Sequence, residues 1–153
     1  MKHKNWFNLL IMLGLLLMST GVLSPAAPRP AHAETMDGTI WHVIKGGTEA
    51  NDCSSWMNAC ELQTALMDGD AGDQIWVATG VYTPGITVTD TFHLLDGVAI
   101  FGGFDPASGA DEFGERDWEA FPTVLSGDIG GDDSTDVNGV ITTTANITGT
   151  NSF

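Results

Sequence analysis

Apolar and polar residues alternate along several short stretches of this chain, and two of the stretches share one pattern. Ile75-x-Val77-x-x-Gly80 returns as Val98-x-Ile100-x-x-Gly103, each position displaced by 23 residues. Alternation puts the apolar side chains on one face of a strand, and a glycine stops each copy. A fixed period in the twenties is what stacked coils produce, because one coil buries its apolar face only against its neighbours. Residues 39–44 (Thr-Ile-Trp-His-Val-Ile) form an earlier strand, ended by Gly46-Gly47. Residues 74–82 and 98–104 carry the repeat itself. Residues 123–129 read as a third, looser copy with Leu125 and Ile129 apolar, and 140–143 as the start of a fourth. Shorter β-prone pieces lie at 86–88 and 91–94, and 105–120 is a polar excursion placed outside the stack.

The periodicity changes once. Asn58 is set to cap a helix, with Glu61 three residues on as its reciprocal partner. Leu62, Ala65 and Leu66 then fall on one helical face before Asp68-Gly69-Asp70 ends the run. A helix of about ten residues does not stand alone in water, so it must lie on apolar surface. Placed just before the regular coils, it serves as a lid over their exposed strand edges. Parallel strands joined inside so short a period leave no room for crossover helices, which disfavours a Rossmann-like sheet. The fold class expected is all-β: a right-handed parallel β-helix, a solenoid with a short N-terminal capping helix. The chain stops at Asn151-Ser152-Phe153 within a β-prone stretch, so a solenoid truncated at its C-terminal end is expected.

The first residues add a destination. Lys2 and Lys4 precede an apolar run at 6–18, and Ala31-His32-Ala33 offers a small-residue cleavage site. The run is 13 residues long, short of the roughly 20 needed to cross a bilayer. Cleavage is therefore favoured over a retained anchor, giving a signal peptide at 1–33 and one domain at 34–153. Removing 1–33 takes Lys2, Lys4 and Arg29 with it. Lys45 and Arg116 then stand against all 20 acidic residues, a net charge of −18. A surface so acidic repels phosphate backbones and anionic lipid, so neither nucleic acid nor membrane insertion after cleavage is expected. The location expected is secreted or cell-surface.

Export also bears on Cys53 and Cys60, the only cysteines. An oxidising compartment favours a disulfide between them. Metal binding is the rival reading. It lacks partners, since no second cysteine pair exists and His42 and His93 have no ligand spacing.

Residues 48–66 (Thr-Glu-Ala-Asn-Asp-Cys-Ser-Ser-Trp-Met-Asn-Ala-Cys-Glu-Leu-Gln-Thr-Ala-Leu) resemble the start of exported bacterial parallel β-helix proteins, the pectin-lyase-like group. Gly72-Asp73-Gln74-Ile75-Trp76-Val77, Phe101-Gly102-Gly103-Phe104, Arg116-Asp117-Trp118 and Leu125-Ser126-Gly127-Asp128 continue the likeness, which covers about residues 40–130. The resemblance implies the β-helix fold. It says little of activity, because such an opening precedes adhesin-like and carbohydrate-active chains alike.

Candidate chemistry is sparse. Asp128, Asp132, Asp133 and Asp136 crowd a glycine-rich stretch, where carboxylates are able to wrap calcium, the one cofactor entertained. The spacing fails the EF-hand template, so a solvated acidic turn between coils is the preferred reading. Polysaccharide lyases of this fold class pair such carboxylates with a Lys or Arg base. Only Lys45 and Arg116 qualify; Lys45 is remote in sequence, and Arg116 lies beside Glu115 and Asp117, where a surface ion pair accounts for it. Gly131-Asp132-Asp133 resembles part of a glycoside hydrolase signature, but its companion motifs are missing. Ser126 lies in no nucleophile-elbow pattern. Trp41, Trp56, Trp76 and Trp118 offer rings for sugar stacking, although packing is the plainer role for Trp41 and Trp76. No catalytic residue is assigned. The reading is a secreted or cell-surface scaffold for adhesion or recognition of extracellular polysaccharide or cell-surface components. The alternative is the N-terminal fragment of a polysaccharide lyase or glycoside hydrolase.

Overall fold

The computed structural model describes residues 38–48 and 50–152; the expected signal peptide at 1–33 lies outside them. In chain order the regular elements are β1 (Ile40–Val43), α1 (Leu62–Asp68), β2 (Gln74–Ala78), β3 (Gly80–Tyr82), β4 (Ala99–Phe104) and β5 (Thr123–Leu125). Three-residue 3-10 turns occur at Trp56–Asn58, Phe113–Glu115 and Thr144–Asn146. The strands form two parallel sheets, one of three strands in the order β1-β2-β4 and one of two, β3-β5. Thr79 is the corner between them. Its N–H reaches the Phe104 carbonyl at 2.7 Å and its hydroxyl the Pro122 carbonyl at 2.9 Å.

The right-handed parallel β-helix is therefore corrected. Neither sheet closes, and among the described residues the strands do not repeat into a solenoid. The 23-residue period is not the pairing register either: Ile75 lies opposite Ile100, not Val98. A slip of two residues keeps every side chain on its face, so alternation alone could not distinguish the two. Beyond Leu125 the ladder gives way to local bonds. Asp128 Oδ1 accepts the Gly131 and Asp132 N–H groups, and Asp136 Oδ1 accepts those of Asn138 and Val140. Aspartate side chains that bind nearby backbone compete with strand pairing, and 140–143, the expected fourth copy, is not a strand. The third copy keeps only Thr123–Leu125, and it pairs with β3 rather than β4.

Register explains which face each residue takes. Trp41, Ile75 and Ile100 stand in one row, and Val43 faces Val77 in another on the same side. This side meets α1, where Leu62, Ala65 and Leu66 join Val43, Ile75, Val77, Tyr82 and both cysteines in one core. Ile75 and Val77 are fully buried, and each contributes roughly 1.5–3 kcal/mol by leaving water. The helix exists where its apolar face predicted it, but without the expected capping box. Asn58 belongs to the preceding 3-10 turn, and Cys60 is drawn out to bridge Val43 in parallel. Glu61 instead accepts the Gly46 N–H at 2.8 Å. Tertiary pairing thus overrides the local cap. Gly47 passes so close that a Cβ there would sit 2.4 Å from the Cys60 carbonyl carbon.

The other face of the three-stranded sheet carries His42, Trp76 and Phe101 in one row. Trp41 and Trp76, which share a pattern in the sequence, hence point to opposite sides. A bulge in β4 extends the outer row. Trp76 pairs with Phe101 and Ala78 with Phe104, so β4 holds one extra residue between them. The bulge brings Phe104 to the same face as Phe101, where it stacks on Trp76 with centroids 4.9 Å apart. The 105–120 excursion then folds back over these rings. Phe113 meets Phe101 edge-on at 4.9 Å, and Trp56 donates its Nε1–H to the Asp111 carbonyl at 2.9 Å. What reads as a polar loop is the cover of a second, aromatic layer.

Candidate functional site

Cys53 and Cys60 are joined as a disulfide, as expected for an oxidising, extracytoplasmic compartment. Cys53 is the only described residue other than glycine with a positive φ, +56°. That left-handed turn aims the loop at the free edge of β1. The Cys53 carbonyl accepts the His42 N–H at 2.8 Å, and the Cys60 N–H returns to the His42 carbonyl at 3.1 Å. The disulfide loop therefore pairs the edge of β1 with its own backbone. Closing so short a loop contributes roughly 2.5 kcal/mol on the chain-entropy view.

The aspartate cluster is brought together only in part. Asp128, Asp132 and Asp133 each place one carboxylate oxygen within 4.8 Å of the others. Asp136 is not of this group; its carboxylate closes its own turn. The loop is built by the chain returning on itself. Ile129 and Gly130 donate to the Thr150 carbonyl, and Ser152 donates to that of Gly127. Asp133 Oδ1 accepts the Thr148 N–H at 2.6 Å, while its Oδ2 is buried without a hydrogen-bond partner among the described residues. Buried polar atoms are almost always paired. A carboxylate with one orphaned oxygen, grouped with two further carboxylates, suits a hard cation with oxygen ligands, and these three residues would hold it.

The two basic residues stand elsewhere. Lys45 lines a small cleft with Glu61, Gln63 and Tyr82. Burial pushes the Tyr82 phenol above its usual range, and its hydroxyl donates to the Ala78 carbonyl at 3.0 Å, so it stays protonated. Arg116 does not make the surface ion pair that its neighbours suggest. Its Nε–H donates to the Phe113 carbonyl at 3.2 Å, and the guanidinium carbon lies 4.2 Å from the Phe113 ring centre and 5.1 Å from that of Phe101. Aromatic faces attract such a cation.

Two further polar groups are held inside the fold, Asp73 and the His42 that the sequence offers only as a metal ligand without partners. Asp73 is buried and gathers the Thr39 N–H, the Trp41 Nε1–H and the Asp70 N–H at 2.8–3.0 Å. These bonds, that from Asp70 foremost, hold its carboxyl below the usual range. His42 sits edge-on to Trp56 at 4.8 Å and to Trp76 at 5.7 Å. Burial lowers its pKa below 6.5, against an opposing bond from Nδ1 to the Cys53 carbonyl. Both are structural. Their signal, an aspartate before a strand and a histidine between apolar residues, is too common to stand out. His93 is exposed on an irregular segment and faces no nucleophile.

Comparison with protein-family models, with curated proteins and with solved structures finds no match to this chain. The likeness of residues 48–66 to the pectin-lyase-like group gains no support there.

Proposed function

We propose that the chain is a secreted or cell-surface binding scaffold rather than a catalyst, and that calcium braces its aspartate loop. The observation that carries the second part is the partnerless, buried Oδ2 of Asp133 beside Asp128 and Asp132. Three carboxylates so close repel one another, and a divalent cation between them offsets that repulsion. The first part rests on the export pattern, on the disulfide, and on where the basic side chains lie. Lys45 and Arg116 line two different clefts, and neither cleft includes an aspartate of the cluster. A lyase-type pairing of cation site and base has no counterpart in that arrangement. The acidic surface favours neutral or cationic partners over nucleic acid.

Thermal unfolding in millimolar calcium, then in excess chelator at matched ionic strength, tests the brace. A ligand well above its Kd adds about 2–3 kcal/mol, which for a domain of this size raises Tm by on the order of 10 °C. The chelator should reverse the rise, and Asp133→Asn should remove it. An unmoved melting temperature defeats the assignment.

A further inference from the structure

A shallow groove of about 370 Å³ runs between β4 and the segment that leads into β5. Phe101, Gly102, Arg116, Trp118, Pro122 and Val124 are among its walls. Trp118 is 71 % exposed, an unusual position for the largest apolar side chain. It is nonetheless carried on a rigid turn. The Asp117 N–H donates to the Gly103 carbonyl at 2.9 Å, and the Asp117 carboxylate accepts the Glu119 and Ala120 N–H groups at 3.0 Å. The Phe121 N–H closes the turn on the Asp117 carbonyl at 2.8 Å. Beside it, Arg116 has committed two N–H donors, to Phe113 and weakly to Gly102 at 3.4 Å. A guanidinium carries five, and the remaining three have no acceptor among the described residues. Its position over Phe113 fixes the fork while leaving those donors free.

We propose that this groove binds a neutral pyranose unit of an extracellular glycan. The sugar's axial C–H face stacks on the Trp118 indole, and its hydroxyls accept from the free Arg116 donors. An aromatic ring with a polar neighbour is suited to a ligand that is apolar on its faces and polar around its rim. Neutral sugar is favoured over acidic sugar by the net charge of the chain, since 20 acidic residues outnumber this one guanidinium and Lys45 outside residues 1–33. The proposal rests on the reading of the chain as a binding scaffold and gives that reading its ligand class. It is independent of the calcium brace, which involves other residues.

The test titrates the whole protein with hexasaccharides of neutral β-glucan, α-glucan, mannan and xylan, and with oligogalacturonate as the acidic comparison. Calorimetry and indole fluorescence are read together. At least one neutral hexamer should bind with Kd on the order of 0.1–1 mM, as expected for a shallow one-ring site. Trp118→Ala should weaken it about tenfold or more, and Trp118→Phe should restore most of the loss. Arg116→Lys should weaken binding about threefold or more at a temperature well below its own melting point, where the variant is folded. No binding by any neutral hexamer, equal binding by Trp118→Ala, or preference for oligogalacturonate would each overturn the proposal. The calcium melting experiment on the same preparation keeps its failure separate from that of the brace.

Discussion

At the scale of single residues, a histidine packed against aromatic rings and aspartates that bind backbone N–H groups respond to acid in separate windows. His42 is packed edge-on between Trp56 and Trp76 as the neutral ring. Its folded pKa lies below the ordinary 6.5, so its contribution to stability is complete above 6.5 and declines as pH falls towards the folded value. Asp73 and Asp90 are likewise depressed from 3.8, by N–H groups that bind the carboxylate form. Their contribution persists through the His42 window and is lost only below 3.8. A plot of Tm against pH should therefore fall in two stages. In His42→Phe, which keeps a ring between the tryptophans, the stage just below 6.5 should disappear while the lower one remains. A single acid limb in the native protein, or an unchanged upper stage in the variant, would contradict this account.

Among the elements, the β4 bulge decides how the aromatic layer forms. It needs Gly103 at φ +88°, and a Cβ there would sit 3.0 Å from the Trp118 nitrogen. Thr123 secures the same spot, accepting the Gly103 N–H at 3.2 Å and donating to the Val77 carbonyl at 3.2 Å. Gly103→Ala should cost about 2 kcal/mol or more, from the left-handed backbone and the close contact together; urea unfolding measures it, and a loss under about 0.5 kcal/mol would show the bulge to be adaptable. The elements themselves were largely legible. Alternation located β2 and β4, and Leu62, Ala65 and Leu66 located α1. Their pairing was not, because period-two patterning is blind to a two-residue slip, so Ile100 and Val98 were equally good partners for Ile75. The role of 105–120 was hidden as well. Phe113 and Arg116 are isolated residues in an acidic stretch, and only the face they cover gives them meaning. Of the four neighbouring aspartates, Asp128, Asp132 and Asp133 bring their carboxylates together in space. The Asp136 carboxylate is used up by its own turn, which spacing along the chain does not reveal.

The molecule as a whole is governed by unbalanced charge. With two basic residues against 20 acidic ones outside residues 1–33, folding concentrates like charge, and compaction is opposed by self-repulsion. Screening length falls from about 30 Å at 0.01 M salt to about 4–5 Å at 0.5 M. Sodium chloride across that range should raise Tm by roughly 5 °C, and a melting temperature that falls or stays level would show the repulsion to be negligible. The strand pairings carry a different consequence, one of tempo. Ile40 finds Gln74, Gln74 finds Ala99, and Gly80 finds Thr123, each across a long span of chain. Contacts so distant along the polymer slow the search for the native state. As the polypeptide is made from its N-terminal end, β1 and the loop from Cys53 to Cys60 are free to form before any partner strand has arrived. Gly80–Tyr82 must wait longest for its neighbour, so the two-stranded sheet completes last.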